Sequence, residues 1–241
     1  YTSPHLLDFR ERIKINGVHI GEQEVIRFVE RHQDYFESNK TSFFEMTVGM
    51  AFDCFKSAKV DYAIVEVGLG GRLDATNVIT PILSVITNIG LDHMDFLGTT
   101  RAQIAAEKAG IIKDSIPVVV GEQDEETQGV FEDVAKRNSA PLFFAESLET
   151  KWETDLKGSY QNHNIRTALN ALTHLSDEKI DPISIRQGLG NVVSNTGFQG
   201  RWQVISEKPK IVLDVGHNKE GLSLIVEQLQ EMSYNQLHVV L

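Results

Sequence analysis

Two kinds of apolar pattern alternate along this chain. Short runs that are almost wholly apolar, Ala63-Ile64-Val65, Leu83-Ser84-Val85-Ile86 and Pro117-Val118-Val119-Val120, have the composition of strands inside a parallel sheet covered on both faces. Other stretches carry apolar residues every third or fourth position, which predicts amphipathic helices. They are residues 22–36 (Val25, Phe28, Val29, Phe36), 42–56 (Phe44, Val48, Phe52, Phe55), 164–175 (Ile165, Ala168, Leu169, Leu172) and 219–232. A further helix is predicted over residues 100–109, capped by Thr99 or Thr100 and stopped by Gly110. Near the start, Arg12-Ile13-Lys14-Ile15 and Val18-His19-Ile20 flank Asn16-Gly17, the dipeptide favoured in two-residue hairpin turns.

Strands alternating with helices predict an α/β protein with an open, doubly wound, mostly parallel sheet. Residues 145–158 are polar and aperiodic, and Asp181-Pro182 caps a short helix. Ser194-Asn195-Thr196-Gly197 reads as a linker, followed by strands at residues 201–206 and 210–213. The expected division is therefore one domain over residues 1–195 and the start of a second over 196–241. Tyr1 at the first position, and a final run Gln236-Leu237-His238-Val239-Val240-Leu241 that reads as a strand cut short, predict a piece of a longer protein.

Composition narrows the functional classes. With 241 residues, 41% of them hydrophobic, the chain can build at least one good core, and no apolar run reaches membrane-spanning length. A single cysteine, Cys54, forms no intrachain disulfide, which predicts a reducing, cytoplasmic setting. A formal charge of −11 argues against nucleic acid as a partner. If the ligand is anionic, positive potential has to be local, from metal ions or helix N-termini.

Carboxylates at strand ends are the candidate chemistry. Glu66 closes the run Ala63-Ile64-Val65 and precedes Gly68-Leu69-Gly70-Gly71, where ligands of open α/β sheets collect. It reads either as a metal ligand or as half of a buried ion pair with an arginine. The loop Gly90-Leu91-Asp92-His93-Met94-Asp95 places two carboxylates and an imidazole at the same edge, either for metal or phosphate chemistry or as turn caps. Lys108 falls at a helix C-terminus, where a lysine ordinarily complements the macrodipole, and an ammonium has no lone pair for a metal. Asp214 repeats the pattern of Glu66, as a cleft acid or as a helix cap. No G-x-x-x-x-G-K-[ST] phosphate loop occurs.

Six stretches, in order, resemble the folylpolyglutamate synthase and dihydrofolate synthase branch of the Mur ligases. They are Tyr1-Thr2-Ser3-Pro4-His5-Leu6; Glu66 through Asn77, reading Glu-Val-Gly-Leu-Gly-Gly-Arg-Leu-Asp-Ala-Thr-Asn; Leu91-Asp92-His93 with Leu97-Gly98; Glu107-Lys108-Ala109-Gly110-Ile111; Gly200-Arg201-Trp202; and Asp214-Val215-Gly216-His217-Asn218. The resemblance implies an ATP-dependent acid–amino-acid ligase that acts without nucleic acid or membrane, as a monomer, on ATP, L-glutamate and dihydropteroate or a folate. It also implies two Mg2+ ions, with Ser3 and Glu66 on the first and Glu66, His93 and a carbamylated Lys108 on the second. Gln161, Asn164, Arg201, Asp214 and His217 become nucleotide contacts, and Asp74 a pterin contact. Three features depart from the family: the Gly-Lys-Ser loop is missing, residues 145–158 are shorter than usual, and Asp-Gly-Ala-His-Asn-Pro is here Asp-Val-Gly-His-Asn-Lys. The alternatives are a ligase for nucleotide-linked muramyl peptides and a non-catalytic nucleotide- or folate-binding module.

Overall fold

A computed structural model describes residues 1–148, 152–175 and 180–240. Residues 1–58 are mainly helical. A hairpin, β1 (Lys14–Ile15) and β2 (Val18–His19), turns through Asn16 and Gly17 with φ of 50° and 80°, as the sequence predicts. Helices α1 (Glu22–Asn39) and α2 (Phe43–Ala58) follow. Ser42 begins α2 through a reciprocal cap: its hydroxyl accepts from Glu45 N–H, and its own N–H donates to the Glu45 carboxylate at 2.8 Å. The inner faces of both helices enclose one core, with Phe28, Val48, Ala51 and Phe55 packed around Ile13, Ile20 and Tyr1.

The second core surrounds a parallel sheet in the order β3 (Ser84–Ile86), β4 (Val118–Val120), β5 (Leu142–Phe144). On one face lie α4 (Arg101–Ala109) and α5 (Gln128–Arg137), so that Ile104, Ala105, Phe131 and Ala135 meet Ile86, Val118 and Val120. All three β4 valines are buried, because α6 (Gln161–Leu172) packs against β4 from the other side. Helices on both faces make this the doubly wound α/β architecture expected. A short α3 (Met94–Leu97) precedes α4. After α6 come α7 (Pro182–Gly190), begun by Asp181, which accepts from Ser184 N–H at 2.7 Å, and α8 (Val192–Thr196). An antiparallel pair, β6 (Gln203–Glu207) and β7 (Lys210–Leu213), and α9 (Lys219–Gln230) complete the chain.

Several expectations need correction. Residues 63–65 form no strand: Ile64 O accepts from the Tyr1 amine, the nearby Glu66 N–H donates to Tyr1 O, and Ile64 is 85% exposed. The apolar run has the composition of a covered strand, but composition cannot report whether a partner strand lies alongside. The expected linker is helical through Thr196 and turns only at Gly197, with φ of 61°. Residues 236–240 lie in no strand, and Leu241 falls outside the described residues. Helix α6 starts three residues earlier than its apolar spacing predicts, since its first turn is polar. The aperiodic stretch at 145–158 lies in part outside the described residues. β5, α3 and α5 were not anticipated.

Candidate functional site

Asp74 organises the glycine turn after Glu66. One carboxylate oxygen accepts from Gly68 N–H and Leu69 N–H, at 3.0 and 2.9 Å, and the other from the N–H and hydroxyl of Thr76. The same turn is pressed onto the end of α4. A Cβ at Gly71 would stand 2.9 Å from Glu107 O and 3.0 Å from Lys108 O, and one at Gly110 would stand 2.4 Å from Arg72 Cα. Arg72 locks the contact with a forked bond to Glu107, as close as 2.9 Å. Gly71 and Gly110 are required here for space.

That packing delivers Lys108 into a cavity of about 280 Å³, whose walls include Gly68, Gly70, Asn88, Asp92, His93, Asn218 and Glu220. His93 is held in the left-handed region, φ 51°, at the start of α3, where its N–H meets the Asp92 carboxylate at 2.8 Å. Lys108 is half-buried and has no hydrogen-bond partner or ion pair among the described residues. Burial lowers its pKa, and the Asp92 charge opposes that only in part. Asp92 itself is held below its ordinary value, chiefly by the Asn218 side chain, which donates to it at 2.7 Å from the start of α9.

Glu66 is not among the residues lining that cavity, although its neighbour Val67 is. Its carboxylate accepts from Ser3 N–H at 2.8 Å, so these two predicted metal residues do meet. Crowding of the carboxyl raises the Glu66 pKa even though the side chain as a whole stays open to solvent. The Ser3 bond, the terminal amine and the Arg201 and Arg12 charges pull the other way. Thus the arginine partner foreseen for Glu66 exists as a field rather than as a contact. Among the described residues, no three His, Cys, Asp or Glu side chains converge so as to hold a metal ion.

The predicted nucleotide residues form a second group. Asn164 donates to the buried Gln161 side chain at 2.9 Å in the first turn of α6. Asp214 accepts from Trp202 N–H at 2.7 Å, Gly216 N–H at 2.8 Å and the Tyr160 hydroxyl at 3.3 Å, fixing the turn that carries Arg201. Burial, aided by Asp214, pushes Tyr160 up to about 12. His217 is exposed, with Nδ1 3.0 Å from Val215 O. Sequence reasoning missed Tyr160, Asn88 and Glu220 as members of this region, because nothing local distinguishes them from ordinary surface residues.

Comparison with known proteins follows the same lines. Residues 8–193 match the Mur ligase middle domain. A Bacillus subtilis dihydrofolate synthase/folylpolyglutamate synthase is 35% identical over 265 residues, covering 98% of this chain and 61% of that protein. The apo form of L. casei FPGS superposes with a TM-score of 0.86 at 30% identity, covering 97% of this chain and 64% of that one. E. coli FolC in complex with DHPP and ADP gives 0.83 at 32% identity, over 98% and 59%. The chain thus spans about three fifths of the length of these relatives. With the glycine turn, the Leu-Asp-His loop and the Lys108 helix brought to one cavity, and most of the chain matched by its middle domain, this chain belongs to the Mur ligase family.

Proposed function

We propose that this chain is the central part of an ATP- and Mg2+-dependent ligase that joins L-glutamate to a dihydropteroate or folate carboxylate. Residues 1–195 are the nucleotide-handling domain and 196–241 begin the second. ATP would transfer its γ-phosphoryl group to the substrate carboxylate, releasing ADP. The glutamate α-amine then attacks the acyl phosphate, forming the amide, and phosphate leaves with its bonding electrons. Relatives of closely similar structure carry folylpolyglutamate synthase names, and one is described in complex with DHPP and ADP.

The observation that carries the reading is Lys108: a half-buried ammonium with no hydrogen bond or ion pair among the described residues, beside Asp92 and His93 under a glycine turn. Such a group is costly unless its chemistry changes. A lowered pKa favours the neutral amine, the form that adds to carbon dioxide, and the resulting carbamate supplies an anionic oxygen donor where an ammonium supplies none. In this form Lys108 offers an oxygen donor suited to Mg2+ beside Asp92 and His93. His93 would complete that site together with Glu66, which would turn in from its place beside Ser3, and Ser3 with Glu66 would hold the ion that accompanies ATP. Bound Mg2+ would offset charge on the transferring phosphoryl group. Gln161, Asn164, Arg201, Asp214 and His217 would orient the nucleotide, and Asp74 would set the turn against which the pterin lies. Because no G-x-x-x-x-G-K-[ST] occurs in it, the chain by itself should bind nucleotide weakly and transfer no phosphate.

Carbon-13 NMR with labelled bicarbonate should give a carbamate resonance that Lys108→Met removes. Calorimetric titration should show binding of Mg2+·ADP and of dihydropteroate. A wild-type spectrum without that resonance, or binding of a nucleotide-linked muramyl peptide in place of dihydropteroate, would reject the proposal.

A further inference from the structure

Helix α9 buries none of its side chains fully, and Leu222 and Val226 on it are 38% and 49% exposed. A helix so placed is not located by a core, and its position depends on how its ends are tied. Both ends are tied by side chains to backbone or side chains of loops far away in sequence. At the N-terminal end, Asn218 donates to the Asp92 carboxylate at 2.7 Å, and Glu220 accepts from Leu91 N–H at 3.3 Å. At the other end Gln228 makes a two-point clamp: its amide nitrogen donates to Lys157 O at 3.1 Å, and its oxygen accepts from Ser159 N–H at 3.0 Å.

The two loops so joined are the two halves of the candidate site. Asp92 lines the Lys108 cavity and Leu91 precedes it in the same loop, whereas residues 157–159 lead into Tyr160 and the first turn of α6. Glu220 and Gln228 are eight positions apart, about 12 Å along a rigid helix axis. We propose that α9 is a strut that sets the spacing between the Lys108 cavity and the start of α6, and that Glu220 and Gln228 are positioning residues at its two ends. Gln228 is not among the residues lining the cavity, and Glu220, which does line it, acts here through its hold on Leu91. Each holds a loop at a fixed distance from the other, so loosening one end should loosen the other.

The functional consequence rests on the nucleotide reading of α6 given above, but the coupling itself does not. Hydrogen exchange resolved at single amides tests it on the whole chain. Gln228→Ala should speed exchange at Ser159 directly and at Leu91, beyond the far end of the helix, by roughly fivefold or more. Glu220→Ala should do the reverse, and Glu220→Gln, which keeps a side-chain oxygen for Leu91 N–H, should restore protection at both places. Mg2+·ADP affinity should fall by a similar factor in either alanine variant, and no further in the double variant, because the two act as one unit. Faster exchange at Ser159 with Leu91 unchanged would show two independent tethers and overturn the strut, as would additive losses of affinity. Should the wild-type chain bind no Mg2+·ADP, the nucleotide reading fails while the exchange data still decide the coupling. If Gln228→Ala does not fold, Gln228→Glu, which keeps the acceptor and loses the donor, gives the same comparison.

Discussion

Lys108 and Asp74 show opposite ways for a charged side chain to live in this molecule. Lys108 is desolvated with no hydrogen bond or ion pair among the described residues, and the Asp92 charge offsets this only in part, so its charge is a cost to the fold that a ligand or a covalent change would relieve. Lys108→Met should therefore raise the melting temperature by about 2–4 °C while removing carbamate formation, a trade of stability against function that calorimetry can read. The pH dependence has a definite sign. Between the lowered pKa and the ordinary 10.5, the unfolded chain holds a proton that the folded chain has released, so stability from this residue rises as pH rises through that window. In Lys108→Met this alkaline gain should be absent from urea titrations repeated across pH. Asp74, by contrast, has both oxygens engaged by donors from Gly68, Leu69 and Thr76. Asp74→Ala should cost about 2–3 kcal/mol in urea unfolding, through backbone donors left without acceptors.

At the scale of elements, the critical joint is where the glycine turn rests on the last turn of α4. Gly110 has an ordinary helical φ of −61°, so it is needed for space, with Arg72 backbone and Cβ atoms 2.4–2.8 Å from where its own Cβ would be. Gly110→Ala should destabilise by about 2–3 kcal/mol and shift Lys108 out of the cavity. Gly129 in α5 has nothing within 4 Å of its would-be Cβ. There alanine should stabilise by about 0.5–1 kcal/mol, the ordinary helix-propensity gain, and the opposite signs of the two variants in one denaturation series check the argument.

Across the whole molecule, burial is unevenly shared. The parallel sheet with α4 and α5, and the α1–α2 pair, each hold a contiguous core, whereas β6, β7 and α9 contribute no buried residue. Native-state exchange should accordingly open residues 203–230 first, at free energies well below those of amides in β3 and β4. Coincident opening of both regions would contradict this. No helix among the described residues is long and apolar enough to cross a membrane.

What the sequence by itself determined was local or periodic. Capping signals at Thr100 and Asp181, the Asn16-Gly17 turn and the apolar faces of α1, α2 and α6 name their own structure, because the physics that forms them lies within a few residues. The motif residues were legible as types, and their order carried the family resemblance. Only the tertiary structure decided which of them meet. It brought His93 and Lys108 to one cavity, left Glu66 beside Ser3, and drew Asn218 onto Asp92 across 126 positions. It also decided that residues 63–65, apolar enough for a sheet interior, form no strand among the described residues. Periodicity specifies which face of an element seeks cover, but whether cover arrives depends on segments remote in sequence, and no local pattern encodes that.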